Sequence, residues 1–207
     1  ECETKINWQK LIEGGLFELL HRITLTDIKP PVFHKLMEVK GNELNSWVIR
    51  KLEDTGFFDL KGDFRNKMHE YYFNPSYATR EKKILKASHY LATNWEFQIV
   101  YRLCKNFYGL EETKRSIENE LEEHNLACVH KLKETGETEN FLDLIGQLRF
   151  QQRWAQTPRI PETSVLGHML IVAIMSYIIT LQLDASDKRL YNNYFAGLFH
   201  DLPEVLT

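Results

Sequence analysis

The stretch FAGLFHDLPEVLT, residues 195–207, decides how the rest of this sequence is interpreted. Its first five residues are apolar and indicate a helix whose end reaches the protein core. His200 and Asp201 follow at once, and Pro203 then interrupts the helix because proline does not fit a helix interior. Imidazole and carboxylate groups are ligands that divalent first-row metal ions accept. An isolated His-Asp pair is common by chance, so the pair needs support from elsewhere in the chain.

His168 is a second candidate ligand, on the helix that precedes this stretch. Thr163 or Ser164 is predicted to cap that helix, which extends to about residue 183. We expect its buried face to comprise five residues on one side of the helix: Val165, His168, Val172, Met175 and Ile179. A histidine on a buried face must be hydrogen-bonded or bound to a metal. From spacing alone, a satisfied core histidine and a metal ligand both remain open.

Helical periodicity extends through almost the whole chain. Asn7 is a suitable cap for the first helix, and Pro30 and Pro31 start the second. Predicted helices cover 8–22, 32–39, 43–54, 68–72, 76–107, 111–134, 140–152, 164–183 and 188–201. No segment shows a convincing strand pattern, and the sequence contains no glycine-rich phosphate-binding loop. The predicted fold class is all-α.

Composition argues against several classes of function. The formal net charge of -3 over 207 residues opposes a general binder of nucleic acid or of anionic membranes. The most apolar run, 169–183, contains three polar residues and is shorter than the ~20 residues that span a bilayer, so we predict a buried helix. Three cysteines without a CxxC pair predict a reducing, cytoplasmic compartment. The first residue is Glu1, and we expect the chain to be part of a longer protein.

Five separated elements occur in a fixed order in the C-terminal part of the chain. They read RW…R…ET…H…FHDLPEVLT, from Arg153 to Thr207. This series resembles the HD-domain metal-dependent phosphohydrolases, and among them the branch of bacterial 5'-deoxynucleotidases that act on deoxynucleoside monophosphates. The resemblance covers about residues 140–207 and implies an HD-domain-like helical bundle.

The resemblance implies a divalent-metal site. His168, His200 and Asp201 would be the metal ligands, and the ion would be Mn, Fe, Co, Mg or Zn. The fourth ligand of the family is an aspartate on a later helix, which we expect beyond Thr207. The residues beside His168 differ from the glutamate and serine usual in the family, which affects substrate details more than metal binding.

The same resemblance implies roles for three further residues. Glu204 would be catalytic, placed near the metal-activated water to position or deprotonate it. Arg153 would be both catalytic and substrate-binding, facing the phosphate or sugar of the substrate. A guanidinium suits this role because it binds phosphate bidentately. Trp154 would bind substrate by packing at the mouth of the pocket.

The N-terminal part of the chain shows a weak sequence similarity to the C-terminal stretch that contains His200 and Asp201. The stretch LFELLHRITLTDIKPP, residues 16–31, parallels FHDLPEVLT, with His21 opposite His200 and Arg22 opposite Asp201. A guanidinium cannot bind a cation, so this copy would lack a metal site. The resemblance is weak, because amphipathic helices of unrelated origin also resemble one another.

His89 extends this parallel, because it lies where the last aspartate of the family is expected. We therefore predict a fragment of a tandem-HD protein. Residues 1–134 would be the back half of a degenerate HD-like helical domain. Residues 135–207 would be the front half of an HD domain that carries the metal-binding motif.

Two classes of function follow from this interpretation. The first is an enzyme, a metal-dependent phosphohydrolase that hydrolyses the phosphate monoester of (deoxy)nucleotides through a metal-activated water. The alternative is a non-catalytic HD-like helical module that binds nucleotide or has a regulatory or structural role. The expected partners are a nucleotide or other phosphate-ester substrate, the remainder of the same parent protein, and a second copy in a homodimer. Nucleic acid and membrane are not expected.

Overall fold

The described part of the chain is helical. The computed structural model describes residues 6–26, 28, 30–104, 106–123, 137–153, 156–157 and 160–206. Over these residues there are eight α-helices and no β-sheet, which confirms the all-α prediction. They are α1 (Trp8–Leu25), α2 (Pro30–Glu53), α3 (Phe64–Phe73), α4 (Thr79–Leu103), α5 (Leu110–Glu123), α6 (Glu137–Gln147), α7 (Val165–Gln182) and α8 (Asp187–Phe199). Two short 3-10 helices are Phe57–Asp59 and Leu202–Leu206.

The chain divides into two compact units. The first unit contains Lys83–Tyr177 and Asn192–Thr207, and the second contains Ile6–Lys82 and Ile178–Tyr191. The predicted domain boundary at residue 134 falls outside the described residues and stays a prediction.

Aromatic and apolar side chains hold α1, α2 and α3 together in the second unit. The ring of Phe17 on α1 lies edge-on to Phe64 and Tyr71 on α3, with centroids 6.4 and 5.7 Å away. These three rings are buried, and so is Val48 on α2. Full burial of one such side chain contributes roughly 1.5–3 kcal/mol, so this cluster accounts for a large part of the packing of the three helices.

Local sequence signals in the second unit are partly confirmed. The side chain of Asn7 caps α1 by accepting a hydrogen bond from the amide of Lys10, as predicted. Two separate helices were predicted where the structure has α2. The backbone leaves helical angles at Lys40 (φ -132°, ψ 20°), so α2 consists of two helical segments that meet at a kink beside Gly41 and Asn42, where the break was predicted. A glycine inside a helix costs about 1 kcal/mol relative to alanine, which weakens the helix without ending it.

Helices α4, α5 and α6 pack together in the first unit. Phe97 on α4 and Ile117 on α5 form the centre of one apolar cluster. On the other side, Trp95 of α4 donates a hydrogen bond to the carboxylate of Asp143 on α6, with a length of 2.6 Å. Gly146 of α6 lies against the same indole, since a Cβ at this position would come within 2.1 Å of the ring. Helix α6 therefore has a fixed position before the chain enters the candidate site.

Helix α7 is apolar on all sides, and the structure buries a different face from the predicted one. Val165 is buried as expected, but Met175 and Ile179 are 51% and 54% exposed. The buried face instead continues through Met169, Ala173, Tyr177 and Thr180. Hydrophobic periodicity selects a face only where the opposite side is polar, and α7 has no such contrast.

The same helix is long enough to be tested as a membrane span. Among the described helices, α7 alone is sufficiently long and apolar to cross a membrane, with a mean hydropathy of 1.9. The core helix of a soluble protein passes the same test, and 28% of this window is buried. The prediction of a buried helix therefore holds for one face of α7 only.

Helix α8 ends earlier than the predicted end at residue 201. It stops at Phe199, and a 3-10 helix begins at Leu202. In a continued α-helix the ring of Pro203 would collide with the carbonyl group four residues earlier, which is that of Phe199. His200 and Asp201 consequently lie in a turn, where neighbouring side chains are not separated by the ~100° of a helix.

Candidate metal centre

Backbone hydrogen bonds attach the loop that carries Arg153 to the start of α7. The amide of Arg153 donates to the carbonyl of Thr163 (2.8 Å), and the amide of Val165 donates to the carbonyl of Gln151 (2.9 Å). This short antiparallel pairing requires extended backbone, so α6 ends before residue 152, where the sequence predicted its end. The pairing places Arg153 beside the first turn of α7.

Ser164 caps α7 and so determines where His168 lies. Its hydroxyl oxygen accepts a hydrogen bond from the amide of Gly167 at 3.1 Å, and its carbonyl accepts from the amide of His168 at 2.9 Å. The predicted cap is confirmed. The side chain of His168 projects from the first turn of the helix and is partly buried.

An apolar cluster attaches the turn with His200 and Asp201 to the first turn of α7. Leu148, Val165 and Met169 form its buried centre, and Leu202 and Val205 of the 3-10 helix pack against it. The two residues before Leu202 are therefore held next to the first turn of α7 by hydrophobic burial on their C-terminal side.

The structure brings His168, His200 and Asp201 together. Carboxylate oxygen Oδ2 of Asp201 lies 3.2 Å from Nε2 of His200 and 3.5 Å from Nε2 of His168. The two imidazole rings are 5.2 Å apart between centroids. One potential ligand atom from each residue lies within 4.8 Å of the others, which is compact enough for a single metal ion.

The hydrogen bonding of His200 determines which ring nitrogen faces Asp201. Its Nδ1 atom is 2.8 Å from the carbonyl oxygen of Gly197, and because a carbonyl only accepts, Nδ1 carries the proton. In neutral His200, Nε2 is then an acceptor, and it faces the acceptor Oδ2 of Asp201. That oxygen is buried and makes no hydrogen bond to any group in the described ranges. Two acceptors facing each other at 3.2 Å fit a bound cation between them.

Electrostatics favour the metal-ligating form of His168. Burial lowers the pKa of His168 below its ordinary value, and the positive charge of Arg153 acts in the same direction. The charges of Asp201 and Glu204 oppose this shift without reversing it. The imidazole is therefore neutral at pH 7, and a neutral imidazole is the form that binds a metal ion.

Arg153 and Glu204 lie directly beside the three candidate ligands. The guanidinium of Arg153 forms an ion pair with Glu204, and one of its nitrogens is 3.3 Å from Oδ2 of Asp201. The side-chain amide nitrogen Nε2 of Gln151 donates to the backbone carbonyl of Glu204 at 3.4 Å. Five of the six residues singled out in the sequence thus meet in one place. The sixth, Trp154, lies outside the described residues.

In the described part of residues 1–134, no comparable cluster of candidate ligands occurs. His21 is buried with its Nε2 atom 3.0 Å from the amide oxygen of Asn45, and Arg22 lies over the ring of Phe33 at 4.9 Å. Within the described ranges, the three residues at the C-terminal end are the one group of His, Cys, Asp and Glu side chains arranged to hold a metal. The tandem-HD arrangement stays a prediction.

Gly197 is a residue of the site that the sequence reasoning missed. Its carbonyl orients His200, and it is itself buried against α7. The available signal was a glycine inside the apolar run FAGLF, because a glycine that weakens a helix often has a packing reason.

Comparison with known proteins gives a family match for the C-terminal part of the chain. The chain matches none of the curated proteins and none of the solved structures with which it was compared. Residues 145–207 match the family model of the HD domain. The matched range contains every candidate ligand, as well as Arg153 and Glu204. This C-terminal segment is thus recognised as HD-domain sequence, and HD domains are in general metal-dependent hydrolases of phosphate esters.

Proposed function

We propose that this protein is a metal-dependent phosphohydrolase that cleaves the phosphate monoester of (deoxy)nucleoside monophosphates. The observation that carries the proposal is the pair of facing acceptors, Nε2 of His200 and Oδ2 of Asp201, at 3.2 Å. Such a contact is unfavourable at a carboxylate as buried as that of Asp201 unless a cation or a proton lies between the two atoms. His168 supplies a third ligand atom in the same small volume.

His168, His200 and Asp201 would hold the ion. Two imidazoles and one carboxylate suit Mn, Fe, Co or Zn, and accept Mg less well. When bound, a divalent ion lowers the pKa of water and draws charge from a phosphoryl oxygen. The fourth protein ligand expected from the family is an aspartate, and the three residues leave coordination positions for it, for water and for substrate.

Arg153 and Glu204 would perform the remaining steps. Glu204 accepts a proton from the attacking water, whose oxygen forms the new bond to phosphorus while the ester bond to the nucleoside oxygen breaks; the departing oxygen takes up a proton from solvent. Arg153 binds the phosphate oxygens and compensates the charge that develops on them. Its contacts with both Glu204 and Asp201 place a guanidinium within reach of the reacting phosphate and of the base.

The nucleotide as substrate rests on the sequence resemblance around Arg153 and Trp154. The geometry of the site supports a phosphate monoester without specifying the leaving group. A deoxynucleotide preference is therefore the finer part of the proposal, and a substrate panel addresses it separately from metal binding.

The first experiment measures metal binding. Purified protein is stripped with a chelator and titrated with Mn²⁺, Co²⁺, Zn²⁺ and Mg²⁺ by calorimetry, and one ion per chain is the expected stoichiometry. His200→Ala and His168→Ala should each weaken binding at least tenfold, because loss of a ligand removes a direct bond to the ion. His69→Ala is a matched control, since His69 is exposed on α3.

The second experiment measures phosphate release from deoxynucleoside and ribonucleoside monophosphates in the presence of the ion that binds. Hydrolysis that disappears in His200→Ala is the expected result. Stoichiometric nucleotide binding without release of phosphate would instead favour the non-catalytic module. Absence of a bound ion in the wild-type protein, together with activity that survives in His200→Ala, would contradict the proposed function.

A further inference from the structure

The backbones of α7 and α8 are in close contact at Gly197. A Cβ atom placed on Gly197 would lie 2.9 Å from Cα of Ala173, 3.1 Å from its nitrogen and 3.2 Å from the carbonyl oxygen of Val172. All three are backbone atoms of α7, which have no rotamer to change. Real Cβ atoms essentially never come within 3.0 Å of such neighbours, so only glycine permits this separation.

Each of the two chain segments that meet at this contact carries one histidine of the candidate metal centre a few residues away. His168 is on α7 five residues before Ala173, and His200 follows Gly197 by three residues on the chain that leaves α8. The distance between the backbones at the crossing therefore limits how closely the two imidazoles approach. Their ring centroids are 5.2 Å apart.

Gly197 also acts on His200 through its backbone. Its carbonyl oxygen accepts a hydrogen bond from Nδ1–H of His200 at 2.8 Å, which directs Nε2 towards Asp201 and His168. A ligand imidazole is commonly oriented by such a hydrogen bond from its second nitrogen. The residue that sets the helix separation thus also sets the orientation of one ligand.

We propose that Gly197 is a positioning residue for metal binding: the absence of its side chain sets the separation of α7 and α8, and thereby the spacing of His168 and His200. This inference rests on the proposed function, because the close contact matters for ligand spacing only if His168 and His200 bind a metal ion. It assigns no contact between Gly197 and the ion or the substrate.

Substitution by alanine should separate the two ligands without opposing helix formation. Alanine is the better helix former, so the intrinsic helix propensity of α8 improves in Gly197→Ala. Any loss must then arise from the added methyl group, which has to displace backbone. Ligand groups have to be held within about 0.5 Å of a productive geometry, and a shift of several tenths of an ångström on one side of a site uses most of that tolerance.

The test compares metal titrations of wild type, Gly197→Ala and Gly41→Ala. Gly41 is also inside a helix, but a Cβ there would meet only the flexible end of Met37 at 3.5 Å. We expect Gly197→Ala to bind Mn²⁺ at least tenfold more weakly than wild type at unchanged helical content, and Gly41→Ala to bind it within twofold. Binding by Gly197→Ala within twofold of wild type would overturn the inference.

A second variant and a second readout distinguish failure of the inference from misfolding of the variant and from failure of the proposed function. If Gly197→Ala does not fold, Ala173→Ser takes its place, because it adds one atom to the fully buried residue on the other side of the contact and should weaken Mn²⁺ binding in the same direction. If wild type itself binds no ion, the proposed function fails, and crystal structures of wild type and the variant decide the inference alone. An unchanged 5.2 Å separation of the imidazole rings in the variant would then refute it.

Discussion

The guanidinium of Arg153 lies 3.3 Å from Oδ2 of Asp201, the carboxylate oxygen that both candidate histidine ligands also face. The side chain of Asp201 is 14% exposed, so its charge is poorly solvated and needs a nearby cation. Arg153 supplies that positive charge in the metal-free protein. A divalent ion bound by the same oxygen would replace this contact, which makes Arg153 and the ion competitors for Asp201.

This competition gives the first prediction, for Arg153→Gln. Removal of the guanidinium should end its competition with the ion for the carboxylate of Asp201. Mn²⁺ binding should therefore become several-fold stronger in the absence of substrate. The same change should lower kcat/KM for phosphate release about 100-fold, because one preorganised donor to a developing negative charge is lost. Calorimetric titration measures the first effect and steady-state kinetics the second.

Arg149→Gln is the matched control for this prediction. Arg149 is a half-exposed arginine close to the same loop, and it pairs with Glu96 away from the metal centre. It should leave both metal binding and kcat/KM within about twofold. Weaker Mn²⁺ binding in Arg153→Gln would show that the arginine supports the centre and does not compete with the ion.

A second prediction concerns Asp201→Asn. The amide should reduce Mn²⁺ affinity at least 100-fold, because a neutral oxygen replaces a charged ligand. In chelator, the free energy of unfolding should stay the same or rise by about 1 kcal/mol, since the amide nitrogen can donate to Nε2 of His200. Urea unfolding with and without metal measures both effects. Asp184→Asn changes an exposed carboxylate and should leave the metal-dependent part of the stability unchanged.

The third prediction distinguishes the proposed base, Glu204, from the three metal ligands. Glu204→Gln should lower kcat by a factor of roughly 100 or more, since the glutamine amide cannot accept the proton of the attacking water. Mn²⁺ affinity should remain within about threefold of wild type, because Glu204 pairs with Arg153 and does not belong to the three-residue ligand group. A loss of metal binding as large as that of Asp201→Asn would identify Glu204 as a ligand and refute its role as base.

The ends of the helices could be predicted where one residue imposes them. Asn7 was predicted as one cap and Thr163 or Ser164 as another, because a side-chain oxygen satisfies the amides of the first turn, and the structure has Asn7 and Ser164 in these roles. The end of α8 was misplaced, although Pro203 was recognised as the cause, because its steric effect extends to the carbonyl four residues earlier. The buried face of α7 could not be predicted, because the helix carries its own apolar side chains on both its buried and its exposed face.

The candidate site could be predicted as a set of residue types but not as a set of contacts. His168 and the His200–Asp201 pair were selected because their chemistry suits a divalent ion, and the structure brings them together. The ion pairs of Arg153 with Asp201 and Glu204 depend on the pairing of its loop with the start of α7, which no local pattern encodes. The approach of two helix backbones at Gly197 is likewise a property of packing.

His21 gives a prediction about stability that is independent of metal. It is buried in α1 with its ring 3.0 Å from the amide oxygen of Asn45, which is also buried. Burial lowers the pKa of His21 below its ordinary value of 6.5, and the hydrogen bond to Asn45 opposes this shift without reversing it. In the unfolded chain His21 takes up a proton near pH 6.5, whereas the folded protein resists protonation until a lower pH.

The contribution of His21 to stability is therefore fully present above pH 6.5 and is lost as the pH falls from 6.5 towards the lowered pKa of the folded state. For one proton the loss is at most about 1.4 kcal/mol per pH unit. His21→Gln retains a hydrogen-bond donor for Asn45 and cannot be protonated, so its free energy of unfolding should fall less steeply than that of wild type between pH 6.5 and 5. His34→Gln, which changes an exposed histidine of α2, should retain the wild-type slope. Urea unfolding at several pH values in chelator measures these slopes, and equal slopes for His21→Gln and wild type would show that folding does not lower the pKa of His21.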